Sequence, residues 1–193
     1  MIPTTTRRSV TALAVGLALL TACGDDADDA AAADATATTA RTPITAADDS
    51  GPIEVTGVDF AYVGLPETVP AGTELAFRND SSAELHELVA IRLPDDEERS
   101  VPDLLALPPE ELGALFPLVT SVIIAPPNAE GFVVEGSATL DEPGRYAVIC
   151  AIPTGADPDE YLAAAAESEG GPPEVAGGPP HFVQGMWAEL VVE

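Results

Sequence analysis

The chain has no lysine. Its seven basic residues are all arginines, set against 33 acidic residues, for a net charge of −26 at pH 7. Nucleic acid and anionic membrane surfaces are poor partners for such a chain; a solvated acidic surface or a basic protein partner suits it better. Soft side chains are also scarce: two cysteines, two histidines and two methionines, one of them the initiator. There is no Cys-x-x-Cys pair and no zinc-like Cys/His spacing. No glycine-rich phosphate loop sits between a strand and a helix. No nucleophile elbow or triad order is visible, and Asp80-Ser81-Ser82 lies near His86 only in sequence. Carboxylates are too abundant for any pair to stand out as catalytic.

The longest apolar run near the start, Val10 to Leu20, is too short to span a bilayer. It follows Arg7 and Arg8 and ends in Leu20-Thr21-Ala22-Cys23, the layout of a signal peptide over residues 1–22. Small residues before a cysteine resemble a bacterial lipobox. That resemblance implies a lipid on Cys23, export by the Sec or twin-arginine route, and an anchor on the outer face of the cell membrane. The mature chain would keep five arginines against all 33 acidic residues, a net charge of −28. With Cys23 lipidated, Cys150 has no partner for an internal disulfide in an oxidising compartment. A lone thiol there is a liability unless it is buried or bound to metal.

Residues 23–50 are mostly Ala, Asp and Thr and have almost nothing to bury, so they read as a disordered acidic linker. Composition shifts at Gly51-Pro52. Residues 51–193 are long enough for a core of their own and carry many short strand signals: 53–60, 72–79, 85–93, 121–125, 131–136, 137–140, 144–152 and 186–193. Pro/Gly turns separate them. The pattern predicts an all-β domain, an antiparallel sandwich or barrel with short helical insertions. One insertion covers about 94–120 and reads as one or two short helices. The other lies within 156–180, where Asp157-Pro158-Asp159-Glu160 makes a good helix start and Gly170 can end it. The GGPP repeats at 170–173 and 177–180 read as irregular loop.

The mature inventory then stands out: Cys150, His86, His181 and Met186. Two imidazoles, a thiolate and a thioether form the ligand set of a type 1 copper site. Cys150 lies late in an apolar strand, and His181 and Met186 precede the next one. In MWAELVVE, Met186 shares parity with Ala188, Leu190 and Val192, which suits an inward-facing side chain. Each residue alone has a plainer reading: Cys150 as a small buried hydrophobe, Met186 as core filler, His86 at a loop edge, His181 in a loop.

Here the chain resembles the cupredoxins, the plastocyanin-like blue copper proteins. VPAGTELAFRND (69–80) looks like the strand before the first His ligand, and LHELVAIRL (85–93) like the strand that carries it. GRYAVIC looks like the family's G-x-Y-x-x-x-C strand, and HFVQGM repeats an H-x4-M spacing. The resemblance implies a Greek-key β-sandwich over 51–193 that holds one copper on His86, Cys150, His181 and Met186. It implies one-electron transfer between protein partners, without catalysis, and leaves Trp187, Phe182 and the insertions to shield the metal. Asn79 and Glu87 are candidates for supporting the ligand loops; Glu87 stands where the family often has Asn. A second departure is the stretch 151–180, where the family usually has only a few residues between Cys and the second His. Two other functions remain open: an interaction or ligand-binding lipoprotein without copper, and copper trafficking or storage.

Overall fold

The computed structural model describes residues 51–168 and 171–193. The signal segment, Cys23, the acidic linker and Gly170 lie outside them. The strands are β1 (Ile53–Val58), β2 (Ala61–Val63), β3 (Thr68–Val69), β4 (Thr73–Asn79), β5 (His86–Arg92), β6 (Val119–Ala125), β7 (Phe132–Gly136), β8 (Thr139–Leu140), β9 (Gly144–Ile149) and β10 (Trp187–Val192). The helices are α1 (Val101–Leu105), α2 (Pro109–Gly113) and α3 (Pro158–Glu167), with 3-10 turns at Phe116–Leu118 and His181–Gln184.

The strands form two sheets. One has four strands in the order β2-β1-β4-β8, and the other has six in the order β3-β10-β9-β5-β6-β7. The β-sandwich expected from the strand signals is therefore present. Most pairings are antiparallel, but β1 runs parallel to β4 and β10 runs parallel to β3. β2 and β3 are additional short strands that the residue pattern did not announce.

Alternation along the strands sorts side chains into two layers. Leu75 and Phe77 on β4, Leu88 and Ala90 on β5, Tyr146 and Val148 on β9, and Leu190 and Val192 on β10 share the inner core. Burying each large apolar side chain contributes about 1.5–3 kcal/mol. The opposite faces of β5 and β9 carry Val89, Ile91, Ala147 and Ile149, which pack against Val101 and Leu104 of α1 and against Phe182. The insertion at 94–120 thus roofs the outer face of the large sheet. That is why LHELVAIRL is nearly continuous in apolar character: β5 is buried on both sides.

α3 begins as its residues predict. The Asp157 carboxylate accepts from the N–H groups of Asp159 and Glu160, with Pro158 in the first turn.

Candidate metal centre

The site lies where β5 begins and β9 ends. These strands are antiparallel neighbours with Val89 opposite Ile149. His86, the first residue of β5, and Cys150, one residue past β9, therefore emerge at the same end of the sandwich. Both are fully buried. β10 flanks β9 on its other side, with Trp187 opposite Ile149. This register carries one residue further, since the Cys150 N–H donates to the Met186 carbonyl at 3.1 Å.

The return of His181 is built by backbone. Pro153 and Pro180 form an isolated antiparallel bridge. The Thr154 N–H donates to the Pro179 carbonyl (3.0 Å), and the Gly178 N–H donates to the Thr154 carbonyl (2.8 Å). Beyond this neck, the His181 N–H donates to Ile152 O (3.0 Å), the Phe182 N–H to Cys150 O (2.9 Å) and the Met186 N–H to His181 O (3.1 Å). The long excursion is pinched off at its base, so its length does not loosen the site. Gly185, at φ 110°, ends the 3-10 turn in a left-handed conformation and lets Met186 turn back into the sheet.

Three donor atoms converge. His86 Nδ1 and His181 Nδ1 are 3.1 Å apart, and Cys150 Sγ is 3.2 Å from His181 Nδ1. The three lie within 4.8 Å of one another, and all three residues are buried. Donors held at about 2.0–2.1 Å from a first-row ion in a trigonal plane are about 3.5 Å apart. The cluster is close to that spacing. Met186 is also fully buried, in the core group that contains Cys150.

The electrostatics are those of a buried cluster without a positive charge. Burial pushes the Cys150 thiol well above its usual range, and the nearby Glu87 pushes the same way. Burial and then the neighbouring His181 hold His86 down to about 4, and burial lowers His181 as well. The imidazoles are therefore neutral, as metal ligands must be. The Glu87 N–H is hydrogen bonded to the sulfur at 3.4 Å, and it and the backbone of Ile152 favour a thiolate. What the cluster lacks for a stable thiolate is a cation, and the donor set suits copper: imidazole and thiolate together, with a thioether on the same turn.

The two supporting candidates are both buried. Asn79 Nδ2 donates to Glu84 O (2.8 Å) and to Ala125 O (3.0 Å), and its Oδ1 accepts from the Ser81 N–H (2.8 Å). It fixes the loop that delivers His86. Glu87 points to the opposite face of β5. Its Oε1 accepts from the Ala151 N–H (2.9 Å) and its Oε2 from the Tyr161 hydroxyl (3.2 Å). It ties β5 to the residue after Cys150. Burial raises its carboxyl to about 7.

Three contacts were not legible from residue types. Tyr161 of α3 reaches Glu87 from within the excursion. Phe60, at φ 61°, lays its ring edge-on to His181 with centroids 5.0 Å apart, and its ring centroid is 6.4 Å from that of His86. Glu84 Oε2 lies 3.3 Å from His181 Nε2. The only signal for Glu84 and Phe60 was proximity to His86 or to a strand end, which many residues share.

No protein family profile matches the chain, and no curated protein does. Among solved structures, the chain is similar to a dithionite-reduced auracyanin from Roseiflexus castenholzii, with 22% identity over 75% of this chain and 98% of that one and a TM-score of 0.41. It is also similar to auracyanin A, a blue copper protein of Chloroflexus aurantiacus, with 20% identity over 74% and 98% of the two chains and a TM-score of 0.40. A third, auracyanin B, has 18% identity over 75% and 89% and a TM-score of 0.36. The described domain is a two-sheet β-sandwich with a buried His–Cys–His cluster at one end.

Proposed function

We propose that this chain holds one copper ion between His86, Cys150 and His181, with Met186 as the fourth ligand, and serves as a one-electron carrier. The observation that carries this reading is the convergence of the Cys150 sulfur and two imidazole Nδ1 atoms in one buried cluster. When bound, copper would supply the Cu(I)/Cu(II) couple. The protein's part is to hold the donors in place. The Cys150–Met186, Phe182–Cys150 and Met186–His181 backbone bonds fix three of the four residues against one another. A rigid site changes little between oxidation states, which keeps electron transfer fast.

The same burial supports the absence of catalysis. A Cys–His pair with a carboxylate behind the imidazole is also the outline of a nucleophile site. Cys150 has no exposed surface, however, and its thiol is held protonated.

Lipidation at Cys23, an extracytoplasmic position on the outer face of the cell membrane, and a redox protein partner with a basic docking face complete the proposal. The acidic composition supports the last of these. Among the described residues, no helix is long and apolar enough to cross a membrane.

The test is to titrate the purified full-length chain with Cu(II). A stoichiometric blue species from thiolate-to-copper charge transfer is expected, and Cys150→Ser should abolish it. A colourless protein that takes up no copper would sink the reading. Several Cu(I) per chain with no blue species would move it to storage.

A further inference from the structure

The two imidazoles of the cluster are not treated alike. His86 Nε2 is buried and has no hydrogen-bond partner among the described residues. His181 Nε2 faces a carboxylate oxygen of Glu84 at 3.3 Å. His181 is itself fully buried, while the Glu84 side chain is about one fifth exposed, with a relative accessibility of 21%. Nothing in the sequence resemblance assigns Glu84 a role.

Glu84 is built in rather than draped over the site. Its carbonyl accepts from Asn79 Nδ2 (2.8 Å), and its N–H donates to Ser81 Oγ (3.1 Å). The carboxylate oxygen that meets His181 also accepts from the Gly155 N–H (2.9 Å). Gly155 follows the Pro153–Thr154 neck of the long excursion. The loop before β5 and the neck after β9 therefore clamp one carboxylate onto one imidazole.

The chemistry follows from the geometry. A carboxylate accepts and does not donate, so His181 Nε2 must carry the proton. His181 Nδ1 is then bare, with its lone pair directed at Cys150 Sγ and His86 Nδ1. A carboxylate behind a ligating imidazole also makes that ligand more basic and fixes its ring. Its negative charge stabilises the more highly charged metal ion over the less charged one.

We infer that Glu84 is a positioning residue: it sets the His181 tautomer in the metal-free protein and biases the bound ion toward Cu(II), lowering the site's reduction potential. The first half concerns the metal-free chain alone. The second half rests on the copper reading above.

The experiment has two arms on the full-length chain. In the first, nitrogen-15 NMR of the metal-free protein reads the His181 tautomer. The Nε2–H form is expected in the wild type and in Glu84→Gln, whose amide oxygen can still accept. Glu84→Ala should give a mixture. A wild-type His181 protonated at Nδ1 would overturn the tautomer assignment, whatever the protein does with copper. In the second arm, Cu(II) and Cu(I) affinities and the potential are compared between wild type and Glu84→Gln. Cu(II) affinity is expected to fall about 10- to 100-fold, with a smaller loss for Cu(I). Each tenfold fall in the Cu(II)/Cu(I) affinity ratio raises the potential by about 59 mV, and Glu84→Asp should recover part of the shift. A wild type that is blue with copper, beside a Glu84→Gln chain of unchanged ratio and potential, would overturn this inference and leave the copper reading standing. A wild type that takes up no copper would overturn the copper reading and, with it, the second half of the inference, while the tautomer arm still decides the first.

Discussion

Pro153 and Pro180 face one another across an isolated antiparallel bridge, and everything between them can leave the sheet without moving His181 away from Cys150. Thr154 completes the neck: its N–H (3.0 Å) and its hydroxyl (2.7 Å) both donate to the Pro179 carbonyl. Replacing residues 157–176 by a short Gly-rich turn should therefore preserve the copper-dependent absorption, because loop length alone changes closure cost only slowly. Loss of the Cu(II) charge-transfer band in a folded deletion variant would show that the excursion does more than bridge.

Tyr161 should be the main energetic link between that excursion and the sandwich. Its side chain is buried, and its hydroxyl donates to Glu87 Oε2 at 3.2 Å. Tyr161→Phe keeps the ring and removes a hydrogen bond to a carboxyl group, a loss of about 1.5–3 kcal/mol. Tyr161→Ala adds a cavity and should cost about 3–5 kcal/mol. Urea unfolding of the metal-free protein measures both, and a Phe variant as stable as wild type would mean that the Glu87 contact contributes nothing net.

Asn79 should matter more than its distance in sequence from Cys150 suggests. Asn79→Ala removes three hydrogen bonds that join β4, the 80–85 loop and the end of β6. The carbonyls of Glu84 and Ala125 lose their donor, a destabilisation of about 3 kcal/mol. Glu84 would also lose one of its anchors. The urea midpoint should fall, and the spread of His181 nitrogen shifts should widen. Asn79→Ala with native stability and an unchanged His181 spectrum would show that the loop is held by other contacts.

Acid should weaken the roof formed by 94–120. Glu97 is held down to about 2, first by the hydrogen bond from the Arg99 guanidinium. Arg145 of β9 donates to the Glu97 and Arg99 carbonyls and pairs with Glu189 of β10. A carboxylate whose folded value lies below its unfolded value of 4.5 contributes stability above that value and loses it as pH falls toward 2. The stability difference between wild type and Glu97→Gln should therefore shrink across pH 4.5 to 2. A constant difference across that window would show that the Arg99 contact does not survive in solution. The Glu97 side chain is largely covered, but its partner Arg99 is about half exposed, with relative accessibilities of 12% and 48%, so the effect is modest and weakens with salt.

What was legible in the sequence is what local spacing controls. The parity of Met186 with Leu190 and Val192, the late position of Cys150 in its strand and the Asp157 cap each follow from neighbours a few residues away. The continuous burial of β5 was visible too, because two-sided packing removes the polar alternation. The parallel β1–β4 and β3–β10 pairs were not, since nothing in either segment specifies a strand partner distant in the chain. Glu84, Phe60 and Tyr161 escaped for the same reason. Glu84 sits 97 residues from His181 in the chain, and among so many carboxylates only the folded geometry singles it out. Glu87 stands out in the sequence only by its place directly after His86. That the carboxylate makes the tie through Oε1 to the Ala151 N–H required the antiparallel register of β5 and β9.

Phe60 should act as the cover of the cluster. A non-glycine residue at φ 61° costs of order 1–3 kcal/mol, so something must hold it there. The edge-on packing of its ring against His181, with His86 close by, is the visible compensation. Phe60→Gly relieves the backbone strain and removes the ring, so the net stability change should be small while access to the cluster increases. The check is alkylation of the metal-free chain by a small thiol reagent, with Cys150 followed by peptide mass spectrometry so that Cys23 does not interfere. Cys150, fully buried in the wild type, should react slowly there and at least about tenfold faster in Phe60→Gly, since reactivity follows exposure and thiolate character. Equal rates in the two proteins would mean that access to the sulfur is set by another group, with Phe182 the next to vary because its side chain is buried in the same cluster as Ile149 and Ala151, the residues on either side of Cys150.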